Sequence, residues 1–193
     1  MKNPLKAGVR LIEWMLRKSE GVYEFTDDPE CIVRIQLTQM PHDITIGNVK
    51  ISKGDPVLGI HAWNDRMPKL PKAGEALDWA LRFRRQAIYS FELVAKEMKN
   101  DSKYSEVRAL GGDSTLFSFS NHTGGLRMMQ RMGFTVIPYP RPHGRFEEFW
   151  ANMFSWWLMW AYNDASLNSR EFRHLERTEV WITAEEFIRR FGG

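Results

Sequence analysis

The chain has 193 residues, of which 43% are hydrophobic and 26% charged, and its formal net charge is +3. This balance is typical of one globular domain with a buried core, and a mild charge without a long basic run argues against a nucleic-acid partner. The single cysteine, Cys31, excludes an internal disulfide and a thiolate metal site, which favours a reducing compartment.

Targeting segments are not expected from the sequence. Residues 1–6 lack the continuous apolar region of a signal peptide. No window offers about 20 uncharged apolar residues, the length that a transmembrane helix needs. We therefore expect a cytoplasmic protein, with a position at the inner face of the membrane left open.

Residues 5–18 are predicted to form a short cationic amphipathic helix within an N-terminal segment, 1–20. It precedes a sheet-and-helix core at 30–193, and we expect 1–193 to be a single domain. The apolar positions at helical spacing and the basic residues around them are Leu5, Val9, Ile12, Met15, Leu16, Lys2, Lys6, Arg10, Arg17 and Lys18. Two interpretations stay open: a terminal helix docked on the core, or a helix lying on an anionic membrane.

Three strands are predicted next. Residues 32–40 alternate, residues 44–51 form a second strand that bends near Gly47, and residues 56–63 follow a turn at Gly54. Because the connections are short, we expect an antiparallel meander.

The longest predicted helix covers residues 75–99. Its expected apolar stripe is Leu77, Leu81, Ile88, Phe91, Ala95 and Met98. Arg84 falls inside this stripe, and a buried guanidinium needs an anionic or carbonyl partner. Either a structural salt bridge or a ligand contact would provide one.

The second half alternates strands and helices. Strands are expected at 107–110 and 115–119, which could form one strand or two, and then at 134–139 and 179–183. Helices are expected at 126–132, at 146–162 and after the N-cap Thr183. Gly133 would end the first of these helices. The predicted fold is α+β, with a central, largely antiparallel sheet flanked by helices.

Candidate chemistry centres on the strand at 56–63. Alternation places His61 and Trp63 on one face, and the strand runs into Asn64, Asp65 and Arg66. Polar residues at the end of an apolar strand need partners or a purpose. Histidine is the natural general base near neutral pH, so His61 is a catalytic candidate, although a lone histidine is more often a structural residue.

A second histidine site is predicted further along the chain. His122 follows Asn121 between a strand and a helix, and His143 lies in a proline-rich loop that could join it. Three histidines and Asp65 have no regular ligand spacing, so no metal site is predicted. The sequence also lacks the glycine-rich phosphate loops and the His-Glu-x-x-His and Gly-x-Ser-x-Gly motifs.

Two resemblances to known families add to this. The run Asn-His-Thr-Gly-Gly-Leu-Arg-Met-Met-Gln-Arg-Met-Gly-Phe at 121–134, in the order strand, long helix, strand, short helix, strand, resembles the second half of a GNAT acyltransferase. There, an asparagine precedes a helix that ends in a Gly-Phe turn. The family's Gln/Arg-x-x-Gly-x-Gly/Ala loop, which holds the CoA pyrophosphate, is missing, and residues 64–74 offer Arg66, Lys69, Lys72 and Gly74 instead.

The run Lys-Gly-Asp-Pro-Val-Leu-Gly-Ile-His-Ala-Trp-Asn-Asp-Arg at 53–66, with Val-Trp-Ile-Thr at 180–183, resembles the bacterial YkoP-type domain from about residue 30 onward. That domain occurs alone or beside polysaccharide-deacetylase-like modules, which implies work on cell-envelope glycans or lipids. The resemblance implies no catalytic residues.

The leading hypothesis is an acyltransferase-like enzyme, GNAT-like in fold, acting on a cell-envelope lipid or glycolipid. His61 or His122 would be the base, and Asp65 is the third catalytic candidate, which would orient the substrate. The residues expected to hold substrate or donor are Trp63, Asn64, Arg66, Arg84, Asn121 and His143. Acyl-CoA or acyl carrier protein would supply the acyl group, and the aromatic residues at 146–162 would line an apolar pocket or contact the membrane. The alternative is a non-catalytic binding or scaffold module with a degenerate acyltransferase fold.

Overall fold

The computed structural model describes residues 4–69, 76–114, 124–138, 144–162, 167 and 177–193. Its helices are α1 (Pro4–Glu20), α2 (Ala76–Asn100), α3 (Gly124–Arg131), α4 (Gly144–Tyr162) and α5 (Ala184–Phe191). Its strands are β1 (Val33–Gln39), β2 (Ile44–Ile46), β3 (Val49–Ile51), β4 (Pro56–Ala62), β5 (Ala109–Ser114), β6 (Thr135–Pro138) and β7 (Thr178–Thr183). The structure confirms the predicted α+β class, since it is a single domain that combines helices with a mostly antiparallel sheet.

Local signals set several element ends as predicted. The Thr183 hydroxyl accepts a hydrogen bond from the backbone N–H of Glu186 at 3.3 Å, which caps α5. Gly133, with a φ of 98°, follows α3 in the left-handed conformation that ends many helices. β5 covers part of the first strand predicted after α2 and continues to Ser114, and residues 115–119 lie outside the described residues.

The five-stranded sheet has the order β1-β4-β5-β7-β6, and β2 and β3 form a separate hairpin. The single bent strand predicted at 44–51 is therefore wrong, because Gly47, with a φ of 59°, reverses the chain within it. The predicted meander is also wrong, since β1 pairs directly with β4 and the hairpin is inserted between them.

β4 and β5 are parallel neighbours that pair over only a short stretch. The ladder joins Val57–Gly59 to Ala109–Gly111. Beyond it, β4 continues along β1 to Ala62, and β5 continues along β7 to Ser114. The hydrogen-bonded ladder between the two strands therefore stops at Gly59 and Gly111, and we call the region between their unpaired carboxyl ends the cleft.

One face of the sheet is a dry aromatic core. α2 and α5 cover it, and the ring of Phe91 lies 5.4 Å from Phe134, 5.7 Å from Phe187 and 5.2 Å from Phe191. Residues on this face include Ile35, Leu58, Leu110 and Ile182, all fully buried. Clustering of these side chains away from water is the main stabilising contribution of this layer.

The buried stripe of α2 differs from the predicted one in its first turns. Its buried residues are Phe83, Ala87, Ser90, Phe91, Val94 and Ala95. Leu77 and Leu81 are exposed, and so is Arg84. The expectation of a buried Arg84 is therefore wrong, because the first turns of α2 do not present that side to the core.

Candidate functional site

The opposite face of the sheet carries a polar cluster at the separated ends of β4 and β5. Gly59 pairs with Gly111, so His61 and Asp113 each lie two residues further along, on the same face and on opposite borders of the cleft. Arg34 and Gln36 of β1 stand opposite His61 and Gly59 on this face. The strand register thus brings a histidine, a carboxylate and two donor side chains together.

Hydrogen bonds fix the state of the His61 ring. The amide nitrogen of Gln36 donates to the carbonyl oxygen of Glu20 at 2.7 Å, so the amide oxygen faces His61. That oxygen lies 2.9 Å from Nε2 of His61. Nε2 is therefore the protonated nitrogen that donates, and Nδ1 carries the lone pair that could accept a proton.

Gly59 provides the room for this pair. A Cβ at that position would lie 3.1 Å from Nε2 of His61 and 3.4 Å from the amide oxygen of Gln36. The contact with Nε2 is tighter than ordinary van der Waals packing, so a larger residue would require the His61 ring to shift. The glycine is thus part of the geometry that holds His61.

Burial lowers the pKa of His61, because the charged imidazolium loses solvation. The negative charge of Asp113 opposes this effect and raises the pKa, whereas the positive charge of Arg34 lowers it further. The net direction is downward, so the ring is neutral near pH 7. A neutral imidazole whose Nδ1 carries a lone pair is the form that a general base requires.

Two carboxylates, those of Asp113 and Glu179, lie on neighbouring strands on the same face of the sheet. Asp113 accepts a hydrogen bond from Arg177 at 2.6 Å, which neutralises it. Its β7 partner, Glu179, is buried, accepts a hydrogen bond from the Trp181 indole at 2.9 Å and lies 3.3 Å from Nε2 of His42. Burial raises the pKa of Glu179, and burial together with Asp113 also raises the pKa of Glu20.

A buried arginine anchors the edge of the cluster. Arg34, only 3% exposed, contacts Glu13 at 3.2 Å and Glu24 at 3.1 Å. Its guanidinium also lies 4.7 Å from the centre of the Trp63 ring. Burial lowers the pKa of Arg34, and the two carboxylates oppose that shift, so the charge is retained through its partners.

The predicted residues that follow β4 hold the loop rather than line the cleft. Trp63 is buried, and its ring contacts a second guanidinium group besides that of Arg34, because the guanidinium of Arg66 lies 3.4 Å from the ring centre. Arg66 also donates a hydrogen bond to the carbonyl oxygen of Asp28. Asn64 is half-buried and Asp65 is exposed. Burial raises the pKa of the Tyr162 hydroxyl, and the negative charge of Asp65 raises it further.

Other predicted residues are not brought to this cluster. Arg84 lies on α2, which packs on the opposite face of the sheet. Asn121, His122 and His143 lie outside the described residues. Their roles stay predictions.

Sequence reasoning missed several members of the cluster. Asp113 comes two residues after Gly111, at the polar end of a strand, which is the same signal that identified His61. Glu179 interrupts an otherwise apolar strand, and this too was visible in the sequence. Gln36 and Glu20 had no local signal, because their proximity to His61 depends on pairing between distant segments.

Two searches of the described part of the chain bear on the chemistry. It contains no group of three or more histidine, cysteine, aspartate or glutamate side chains placed to hold a metal ion. Within the same residues, no helix has the length and apolar character needed to cross a membrane.

Comparison with known proteins identified one family. The model of the YkoP domain matches residues 10–191, which is nearly the whole chain. No curated protein and no solved structure gave a significant match.

Proposed function

The chain belongs to the YkoP domain family, and we propose that the cleft between β4 and β5 is the donor site of an acyltransferase-like enzyme acting on a cell-envelope lipid or glycolipid. The observation that carries the proposal is the placement of His61 and Asp113 on the two borders of this cleft. In sheets with parallel strands, ligands commonly bind where the carboxyl ends of neighbouring strands separate.

The backbone supports an extended donor at this position. Past Gly59 and Gly111, the ladder between β4 and β5 ends, so their facing backbone groups can accept an added chain. The acyl donors expected here, acyl-CoA or acyl carrier protein, both present the thioester on a phosphopantetheine arm that contains amide groups. Such an arm could pair with the strand edges in the manner of an extra strand.

The element order gives further support for a GNAT-like arrangement. β4, α2, β5, α3 and β6 follow one another as strand, long helix, strand, short helix and strand, as the resemblance to that family implies. The segment that would hold the phosphates of the donor differs from that of the GNAT family. Its Arg66 is already engaged in contacts with Trp63 and Asp28. An acyl carrier protein, which bears a single phosphodiester in place of the pyrophosphate of CoA, is therefore the donor we favour.

The proposed step uses His61 as the base. Nδ1 of His61 takes the proton of the acceptor hydroxyl or amine as that group attacks the thioester carbonyl. The carbon–sulfur bond then breaks, and the departing thiolate receives the proton from His61. The products are the acylated acceptor and a free thiol, so protons and electrons balance without a further reactant.

A non-catalytic binding module remains the second candidate. It is favoured by the way the polar groups satisfy one another: Gln36, a neutral amide, holds His61, and Arg177 neutralises Asp113. A cellular assay separates the two, because a His61→Ala protein that stays folded and keeps full function in the cell would favour the binding module.

The direct test combines donor binding with thiol release. Acyl-CoA and acyl carrier protein are titrated while the melting temperature is followed, and stabilisation that grows with ligand concentration is expected. Free thiol is then measured with a chromogenic reagent in the presence of a glycolipid acceptor. His61→Gln should still bind donor but release thiol about 10²- to 10⁴-fold more slowly.

The matched control is Lys96→Ala, an exposed position of α2 on the far side of the sheet, which should leave both readouts unchanged. If neither donor stabilises the protein, the transferase proposal fails. If donors bind but wild type and His61→Gln release thiol at the same rate, His61 is not the base.

A further inference from the structure

The N-terminal helix α1 packs on the protein with its charged side. Lys6, Arg10, Glu13 and Arg17 recur at helical spacing and form one stripe. Arg10 donates a hydrogen bond to the carbonyl oxygen of Ala161 at 3.3 Å, so this stripe faces α4.

Each member of the charged stripe has a partner on the protein. Nζ of Lys6 lies 5.3 Å from the centre of the Trp160 ring, and the guanidinium of Arg10 lies 4.8 Å from that of Tyr162. The Tyr162 hydroxyl donates to Glu13 at 3.3 Å, and Arg17 donates to Glu24 at 2.8 Å. The usual orientation of an amphipathic helix, apolar side inward, is therefore reversed.

The reversed orientation exposes the apolar side of α1. Val9 is its one buried residue, and the large apolar residues at least two-fifths exposed are Leu5, Leu11, Ile12, Trp14, Met15 and Leu16. Trp150 and Trp157 of the neighbouring α4 are also exposed. We call the exposed apolar residues of α1 the α1 face. Contiguous exposed apolar surface of this kind marks a docking site rather than an ordinary protein surface.

One charge beside the α1 face and one aromatic residue within it indicate its occupant. Lys18 is exposed near the carboxyl end of α1, whereas Arg10 and the acidic Glu13 are turned towards the protein, to Ala161 and Arg34. An anionic bilayer complements Lys18 and accepts Trp14 at its interface, where tryptophan is favoured.

We propose that the α1 face docks this protein on the surface of an anionic membrane, with α1 lying in the interface. The polar stripe then stays on the protein side and keeps α1 fixed relative to the sheet. This inference stands on α1 and α4 and does not depend on the chemistry proposed for His61, although it would bring a lipid or glycolipid acceptor close to the domain.

The test is co-sedimentation with phosphatidylcholine vesicles that contain or lack phosphatidylglycerol. The wild-type chain should sediment with the anionic vesicles, and less of it should do so as salt is raised. The double variant Trp14→Ser/Met15→Ser should bind about tenfold or more weakly, because two large apolar side chains no longer enter the interface. Lys18→Glu should weaken binding and reduce its salt dependence.

The matched control is Leu77→Ser/Leu81→Ser, which removes two even more exposed apolar residues from α2 and should leave vesicle binding unchanged. Equal binding by wild type and the Trp14/Met15 variant would overturn the proposal. So would a drop in the melting temperature of that variant, which would mean that the α1 face is covered by the protein itself, or a dimer in solution that the same variant dissociates. Thiol release is a separate measurement, so either proposal can fail alone.

Discussion

On the face of the sheet that α2 and α5 cover, every strand contributes apolar side chains, and the Phe91, Phe187 and Phe191 rings pack at its centre. On the other face, the same strands contribute Arg34, His61 and further polar residues that pair with one another. Alternation of side chains along each strand allows the two faces to differ, although the polar face also holds a smaller apolar cluster that includes Val57, Ala109 and Trp181. The dry face holds the larger apolar core, and the polar face holds the groups that could do chemistry.

The difference lies in how each face tolerates change. An apolar core loses stability in proportion to the volume and area removed, and no single partner is essential. A buried polar network depends on each member, because removing one group leaves its partner desolvated and unpaired. The two faces should therefore respond differently to single substitutions and to pH.

The largest expected effect is on the dry face. Phe187 is fully buried and contacts both Phe91 and Phe191, so Phe187→Ala should lower the free energy of unfolding by about 3–5 kcal/mol. Urea denaturation measures this loss. Leu77→Ala, at an exposed position of α2, is the control, and its free energy of unfolding should change by no more than about 0.5 kcal/mol. A small loss at Phe187 would mean that this layer is loosely packed.

A smaller effect is expected at Arg34 on the polar face. Arg34→Met should cost about 2–3 kcal/mol, because Glu13 would be left buried without its main cation. The loss stays below that of a fully buried pair, since Glu24 is partly solvated.

The second substitution Glu13→Gln, made in the Arg34→Met background, separates charge from packing. It should restore part of the lost stability in the same urea experiment, because the unpaired carboxylate is gone. No restoration would mean that Arg34 acts through its packing against Trp63 rather than through its charge.

Local elements of this fold could be predicted from the sequence, and pairings between distant segments could not. The Thr183 cap, β1 and β4 depend on neighbouring residues, and the structure has them where the patterns indicate. The insertion of the β2–β3 hairpin and the parallel pairing of β4 with β5 depend on contacts far apart in sequence.

The candidate site follows the same division. His61 was identified because a polar residue at the end of an apolar strand is a local signal. Its neighbours Gln36 and Asp113 became visible only when the register of β1, β4 and β5 was known. Arg84 was misassigned because helical periodicity gives the stripe on α2 but not which turns of that stripe reach the core.

The smallest expected effect is a pH dependence of the free energy of unfolding, which reports whether the His61 ring is neutral or protonated. The folded pKa of His61 is lowered, so at low pH the unfolded chain binds a proton that the folded chain resists. The contribution of His61 to stability is therefore present above its ordinary pKa of about 6.5 and is lost as the pH falls through the folded pKa.

The stability difference between wild type and His61→Gln measures that contribution, because the other titrating groups are common to both proteins. This difference, from urea denaturation at a series of pH values, should shrink as the pH falls below about 6.5. A difference that grows instead would mean that Asp113 outweighs burial and holds His61 as a cation.

Glu179 should have a pH dependence of the opposite sign. Its raised pKa means that its contribution to stability is present below the ordinary pKa of a glutamate and is lost as the pH rises, and a comparison of wild type with Glu179→Gln would show that opposite slope. The polar face would then hold two groups whose neutral forms burial favours, His61 and Glu179, beside the ion-paired Arg34 and Asp113, and the neutral ring is the form in which His61 can serve as a base.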